Sequence, residues 1–92
     1  MKVELEFLGV LARIANTRSI VVDLPSGATI RDLISMVKDR WHGIDEYITL
    51  RGDTVVNVII LVDGRDIGVL DGLGTRITDG CKVTFIPVVH GG

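Results

Sequence analysis

The chain has 92 residues, of which 47% are hydrophobic and 24% are charged, and its formal net charge is −2. This length allows one small domain with a single core, and the composition is too apolar for a disordered segment. Acidic and basic residues are scattered without runs of one sign, and aromatic residues make up only 4% of the chain. Because a nucleic-acid-binding surface requires a basic patch with aromatic side chains for stacking, we expect no direct contact with nucleic acid.

The hydrophobic segments are short. The longest continuous apolar stretch, Val58–Val62, falls far below the ~20 residues that span a membrane. Met1 and Lys2 lead into alternating residues and not into a signal-peptide core. The single cysteine, Cys81, excludes an intrachain disulfide and a zinc site with paired cysteines. These features predict a cytoplasmic protein without membrane contact, in which Cys81 is a small buried hydrophobic residue.

Two short strands are predicted near the start of the chain. Lys2–Leu8 alternates between two faces, as a half-buried strand does. Gly9–Asn16 shows no clean alternation and is predicted to be a tucked connection, with or without one helical turn. Arg18–Leu24 alternates again, so we expect a second strand that returns beside the first.

One amphipathic helix is predicted in the middle of the chain. Thr29 can cap the first amides of a helix, and Asp32 adds a negative charge at its positive end. Apolar residues then follow at the three-four spacing of a buried stripe: Ile30, Leu33, Ile34, Val37 and Trp41. Gly43 supplies a stop, which gives a helix with one apolar face.

The region after this helix gives weaker signals. Residues 43–54 show no clear period, whereas Val55–Val62 is almost continuously apolar, which favours a central strand covered on both faces. Asp63 and Gly64 form a strong hairpin signal, with a short return after it. The glycines of residues 68–79 are not followed by the Lys-Ser or Lys-Thr of a phosphate-binding loop, so we expect a loop that packs its leucines.

The last predicted strand is Cys81–Val88, in which Val83 and Phe85 face the core. Strands before and after one helix indicate an α+β domain, with a mixed sheet and one main helix across a single face. We expect residues 1–92 to form one domain in which residues 88–92 are an extended tail.

An apolar patch is predicted near the start of that tail. If the first and last strands lie side by side and parallel at the centre of the sheet, Leu8 and Ile86 both emerge on the face away from the helix. Together they would form a docking surface for a partner. The alternative is that they are singly exposed residues of no consequence.

The sequence ends with Gly91 and Gly92, and such a pair would occur by chance in roughly 0.5% of sequences. Glycine can lie in a narrow groove and adopts backbone angles closed to other residues. It also leaves the carbonyl carbon of Gly92 unhindered. Because a free carboxylate is a poor electrophile, a partner must activate it before a thiolate, persulfide or amine can attack. The chain would then be the substrate of a covalent reaction and not its catalyst.

The segments Asn57–Asp66 and Thr78–Gly92, with the order of the predicted elements, resemble the ubiquitin-like sulfur carriers. These comprise the small subunit of molybdopterin synthase, the thiamine sulfur carrier and the ubiquitin-related modifier. The resemblance covers the whole chain. Pro87 stands alone where many molybdopterin synthase subunits carry two prolines, and the ending His90-Gly91-Gly92 is more similar to the ubiquitin-related modifier.

This resemblance implies a β-grasp fold and a reaction at Gly92, with Gly91 beside it. An adenylyltransferase of the ubiquitin-activating type would use ATP and magnesium to adenylate Gly92, and a sulfur donor would convert the adenylate to a thiocarboxylate. The chain itself would hold no stable cofactor and no metal. Sulfur would pass to molybdopterin biosynthesis, in contact with a synthase large subunit, or to a tRNA uridine. The partner-binding residues would be Leu8, Ile86, Val88, Val89 and His90.

Three alternatives stay open on the sequence alone. A protein modifier would join Gly92 to lysines of target proteins through an isopeptide bond, after the same activation. A plain interaction domain would use neither glycine, so that removing both would leave its function intact. An enzyme with its own active site is the weakest alternative, because His42 and His90 are paired with no obvious nucleophile.

Overall fold

Five strands form a mixed sheet, and the longer of two helices packs against one face of it. The computed structural model describes residues 1–88. The strands run in the order β2-β1-β7-β5-β6 across this sheet, while β3 and β4 form a separate two-stranded sheet. In chain order the elements are β1 (Lys2–Phe7), α1 (Val10–Ala15), β2 (Ser19–Asp23), α2 (Ile30–Arg40), β3 (Thr49–Arg51), β4 (Thr54–Val56), β5 (Val58–Val62), β6 (Arg65–Asp66) and β7 (Lys82–Pro87).

The first and last strands lie side by side at the centre of the sheet, as predicted. β1 and β7 are parallel, with Leu5 opposite Val83 and Phe7 opposite Phe85. β2 pairs with β1, and β5 pairs with β7, in antiparallel orientation. Parallel neighbours require a crossover, and α2 lies within the crossover between β1 and β7.

The helix forms where the pattern predicted it. The Thr29 hydroxyl accepts from the Asp32 amide, and the Asp32 carboxylate accepts from the Thr29 amide, which makes a capping box. The helix ends at Arg40, so Trp41 is the residue that caps it. Trp41 is half-buried and packs edge-on against Phe7, with 5.1 Å between the ring centres. Four of its five apolar residues are buried: Ile30, Leu33, Ile34 and Val37.

The core lies between α2 and the inner face of the sheet. Val3, Leu5 and Phe7 of β1 are fully buried, as the alternation predicted. Phe7 stacks on Phe85 of β7 with 5.4 Å between the ring centres. Burial of one such aromatic side chain contributes about 3 kcal/mol to folding, so the central strand pair carries much of the stability.

One of the two uncertain segments agrees with its prediction and the other does not. Gly9–Asn16 contains the helical turn that the sequence allowed, as a six-residue helix, α1, bounded by Gly9 and Asn16, both of which have positive φ. The prediction of one strand over Val55–Val62 is wrong, because Asn57, with φ 70°, separates β4 from β5. Nor is β5 covered on both faces, because Ile59 is 40% exposed.

The remaining turns follow the sequence closely. Asp63 and Gly64 have φ values of 48° and 84° and form the predicted hairpin between β5 and β6. The loop before β7 contains two short 3-10 turns and buries Leu73 and Ile77. Across residues 1–88, neither helix combines the length and the hydrophobicity that a membrane crossing requires.

Candidate functional site

The candidate site is the end of the sheet at which β7 ends, and we call it the tail end. β7 ends at Pro87, and Val88 follows with 39% of its surface exposed. The Val88 amide donates to the Asn57 carbonyl oxygen at 3.1 Å. The other predicted tail residues, Val89, His90, Gly91 and Gly92, lie outside the described residues.

The pairing of β1 and β7 stops at the tail end for a local reason. The Leu8 amide donates to the Phe85 carbonyl oxygen at 3.1 Å. In a parallel ladder the next bond would run from the amide of residue 87 to the Leu8 carbonyl oxygen. Residue 87 is proline and has no amide hydrogen, and the Leu8 carbonyl instead accepts from the Leu11 amide at 3.2 Å. The two strands therefore separate: β1 is followed by α1, and β7 is followed by the tail.

The outer face of the sheet at the tail end is apolar. Ile86 lies opposite Ile59 in the register of β7 and β5, and the register of β1 and β7, continued by one residue, places Leu8 on its other side. Leu8 is 38% exposed and Ile59 is 40% exposed, while Ile86 is half-buried between them. We call Leu8, Ile86 and Ile59 the apolar row. Strand alternation places Val88 on the same face.

Two of these residues were predicted to lie together and one was missed. Leu8 and Ile86 were expected to be neighbours on this face, and the structure brings them together. Ile59 was missed because an unbroken apolar run has no period from which its outward face could be identified. The signal that could have found it is Asn57, a polar residue inside the run that favours positive φ.

Farther from the tail end, the outer face carries polar side chains that pair with one another. The Thr84 hydroxyl donates to Glu6 Oε1 at 3.0 Å, and Lys82 Nζ lies 3.4 Å from Glu6 Oε2. The Ser19 hydroxyl donates to Glu4 Oε2 at 2.8 Å. Exposed ion pairs contribute at most about 1 kcal/mol each. These polar groups separate the apolar row from Val21 of β2, which is 60% exposed on the same face.

Cys81 lies just before β7, at the opposite end of that strand from the tail. It is buried, as predicted, with 3% of its surface exposed. Burial raises the pKa of the Cys81 thiol, which holds the sulfur in its protonated, weakly nucleophilic form. Cys81 therefore acts as a core residue.

The histidine and acidic residues form no metal centre within residues 1–88, where no group of three or more His, Cys, Asp or Glu side chains is placed to bind an ion. His42 is exposed just after α2.

Comparison with known proteins gives one family match and several close structural likenesses. Residues 2–92 match the family model described as Urm1 (Ubiquitin related modifier). The chain is 28% identical to Small archaeal modifier protein 3 of Haloferax volcanii over 92 residues, which is 100% of both chains. A solution structure of the Haloferax volcanii HVO 2177 protein has a TM-score of 0.88 and 28% identity, and the match covers 100% of this chain and 87% of the other.

A further likeness reaches a protein provisionally named molybdopterin converting factor subunit 1, from Pyrococcus furiosus. Its structure has a TM-score of 0.80 and 27% identity, and the match covers 97% of this chain and 99% of that one. With the strand order described above, these likenesses confirm the predicted β-grasp fold.

Proposed function

Because the chain belongs to the Urm1 (ubiquitin related modifier) family of ubiquitin-like sulfur carriers, we propose that its reactive group is the Gly92 carboxylate. A carboxylate oxygen attacks the α-phosphorus of ATP, held with magnesium by an activating adenylyltransferase, and pyrophosphate leaves. Hydrosulfide released by a donor then attacks the acyl carbon, AMP leaves, a proton is lost, and Gly92 carries a thiocarboxylate. Gly91 beside it removes side-chain bulk from the groove that the tail enters.

The observation that carries this proposal is the arrangement at the tail end. Only four residues follow Val88, and four residues span at most about 14 Å when fully extended. An enzyme that reaches Gly92 must therefore contact the surface around Val88. That surface is the apolar row, and its exposed side chains are those a partner would bury. We accordingly assign Leu8, Ile86, Ile59 and Val88 to the docking surface, together with Val89 and His90.

In this role the chain supplies a substrate and no catalytic group of its own. The partner holds ATP and magnesium, and we propose that the chain binds neither stably. The sulfur of the thiocarboxylate would go to a molybdopterin precursor on a synthase large subunit, or to a tRNA uridine. Both reactions fit a cytoplasmic protein whose contacts are with other proteins.

A second candidate function is the modification of other proteins. It is favoured by the family description and by the name of the Haloferax volcanii relative, both of which specify a modifier. The adenylate is common to both functions, because a lysine amine can attack the same acyl carbon as sulfur does. Trypsin cleaves after Lys82, so a conjugated lysine would carry residues 83–92 of this chain.

Intact-mass measurement tests the leading proposal. The protein is incubated with its activating adenylyltransferase, ATP, magnesium and a sulfide donor. We expect the mass to rise by the difference between sulfur and oxygen, and to stay unchanged when ATP is omitted. No ATP-dependent change would contradict the sulfur-carrier function. Peptides bearing residues 83–92 on lysines of other proteins, in the absence of that change, would favour the modifier.

A further inference from the structure

The tail leaves the sheet between two residues with left-handed backbone. Gly9, just after β1, has φ 55°, and Asn57, just before β5, has φ 70°. β7 lies between β1 and β5 in the sheet. We propose that Gly9, Asn57, Pro87 and Val88 form an exit joint that fixes the direction in which the last four residues leave the sheet. This inference rests on the proposed function, and within it Gly9 and Asn57 are positioning residues for the activation of Gly92.

Gly9 gives the joint its closest contact. A Cβ atom at Gly9 would lie 3.2 Å from Pro87 Cγ and 3.9 Å from Pro87 Cδ. The ring of Pro87 therefore packs directly on the backbone of Gly9, in space that any side chain would fill. The φ of 55° and ψ of −133° at Gly9 are also unfavourable for an L-residue with a side chain. Both features require glycine at this position.

Pro87 sets the direction on the side of β1. Its ring fixes φ near −65°, and its missing amide hydrogen ends the ladder with β1 at Leu8. The chain is thereby released from β1 but stays attached to β5 for one more residue. That attachment is the hydrogen bond from the Val88 amide to the Asn57 carbonyl oxygen, at 3.1 Å.

Asn57 supplies the acceptor for that bond by adopting an uncommon conformation. Asn tolerates positive φ better than most residues with a side chain, yet the conformation still interrupts an otherwise continuous apolar run. Unfavourable backbone conformations persist where the surrounding structure enforces them, and they cluster at functional sites. Asn57 places one of them beside the exit, and Gly9 on the other side adopts a positive φ that only a residue without a side chain tolerates well.

The joint and the apolar row should affect different kinetic constants. The apolar row determines how tightly the protein docks, whereas the joint determines where the carboxylate lies once docked. A misplacement of about 1 Å in a reacting group can lower a rate on the order of 100-fold without weakening binding. Variants of the joint are therefore expected to lower kcat for adenylation, and variants of the row to raise KM.

The test compares Gly9→Ala with Gly52→Ala in ATP–pyrophosphate exchange catalysed by the activating enzyme. Gly52 has a φ of 60°, lies in the turn between β3 and β4, and has no neighbour within 4 Å of an added Cβ. We expect Gly9→Ala to lower kcat at least about tenfold relative to Gly52→Ala, with KM changed less than about twofold. Equal kcat values for the two single variants would contradict the proposal that the exit joint positions Gly92 for adenylation.

A second pair of measurements applies if Gly9→Ala does not fold. Asn57→Gly suits a φ of 70° and keeps the backbone carbonyl, so thermal stability should be unchanged while the looser joint lowers kcat several-fold. In the free protein, the Val88 amide should exchange slowly with solvent, and Asn57→Gly should accelerate that exchange whereas Gly52→Ala should not. Fast solvent exchange of the Val88 amide in the wild-type chain would contradict the proposed exit joint, even if Gly92 is adenylated normally. A protected amide with no adenylation would instead count against the proposed function alone.

Discussion

The two ends of the central strand pair are built differently. At the end where β1 and β7 begin, side chains close the backbone: Asp79 Oδ1 accepts from the Lys2 amide at 2.7 Å, and Asp63 Oδ1 accepts from the Lys82 amide at 2.9 Å. At the tail end the ladder stops at Pro87, and the two strands diverge. The first end satisfies its backbone with short hydrogen bonds, whereas the second exposes apolar side chains.

This contrast indicates that stability and presentation are located in different places. Hydrogen bonds that close a strand end contribute to the free energy of unfolding. An exposed apolar side chain contributes little to folding and is available for binding. Substitutions at the two ends should therefore separate loss of stability from loss of reaction, and four predictions test that separation.

Deleting Gly91 and Gly92 should have the largest effect on the reaction and the smallest on the fold. Without them the acyl end is moved back by two residues and carries a side chain, so ATP–pyrophosphate exchange should fall to the background rate. The thermal unfolding midpoint should not change, because the described core runs from Val3 to Phe85 and neither glycine has a side chain to add to it. Exchange at the wild-type rate would favour the plain interaction domain instead.

Ile59→Asp tests the docking surface. A carboxylate placed in the apolar row must lose its hydration when the partner docks, which costs at least about 1.4 kcal/mol and so raises KM about tenfold or more. Val21→Asp is the matched control, because Val21 is 60% exposed on the same face but lies on the edge strand β2. If both variants raise KM equally, the surface that docks is not confined to the row.

Asp79→Ala tests the end of the sheet at which β1 and β7 begin. Loss of the acceptor for the Lys2 amide should lower the free energy of unfolding by about 1 kcal/mol, measured by urea denaturation with Trp41 fluorescence. Asp79→Asn keeps an acceptor oxygen and should recover most of that loss. Neither variant should alter KM or kcat for adenylation. A kinetic effect of Asp79→Ala at a temperature where the variant is folded would contradict the separation of the two ends.

The smallest effect is expected at the ion pair between Lys2 and Asp23. The hydrogen bond from Lys2, at 2.9 Å, lowers the pKa of the Asp23 carboxyl below its ordinary value of 3.8. Its contribution to stability is therefore present above that ordinary value and is lost as the pH falls through the lowered pKa of the folded state. The unfolding midpoints of wild type and Asp23→Asn should differ slightly at neutral pH and converge in acid. A difference that persists in acid would show that the pair is not its cause.

Much of this architecture could be predicted because its signals are local. Period-two alternation located β1, and the cap at Thr29 located the start of α2. The outward face of β5 and the short helix α1 could not be predicted, because an unbroken apolar run has no period and a six-residue helix depends on tertiary contacts. The exit joint was beyond sequence reasoning for the same reason, since Gly9 and Pro87 meet only after β1 and β7 pair.

The most direct test of the central claim is the position of the new sulfur after the ATP-dependent reaction, determined by fragmenting the C-terminal peptide in a mass spectrometer. The account predicts that one oxygen of Gly92 is replaced by sulfur and that Cys81, which is buried with a raised pKa, is unmodified. Sulfur added to Cys81, with an unchanged carboxylate at Gly92, would contradict it.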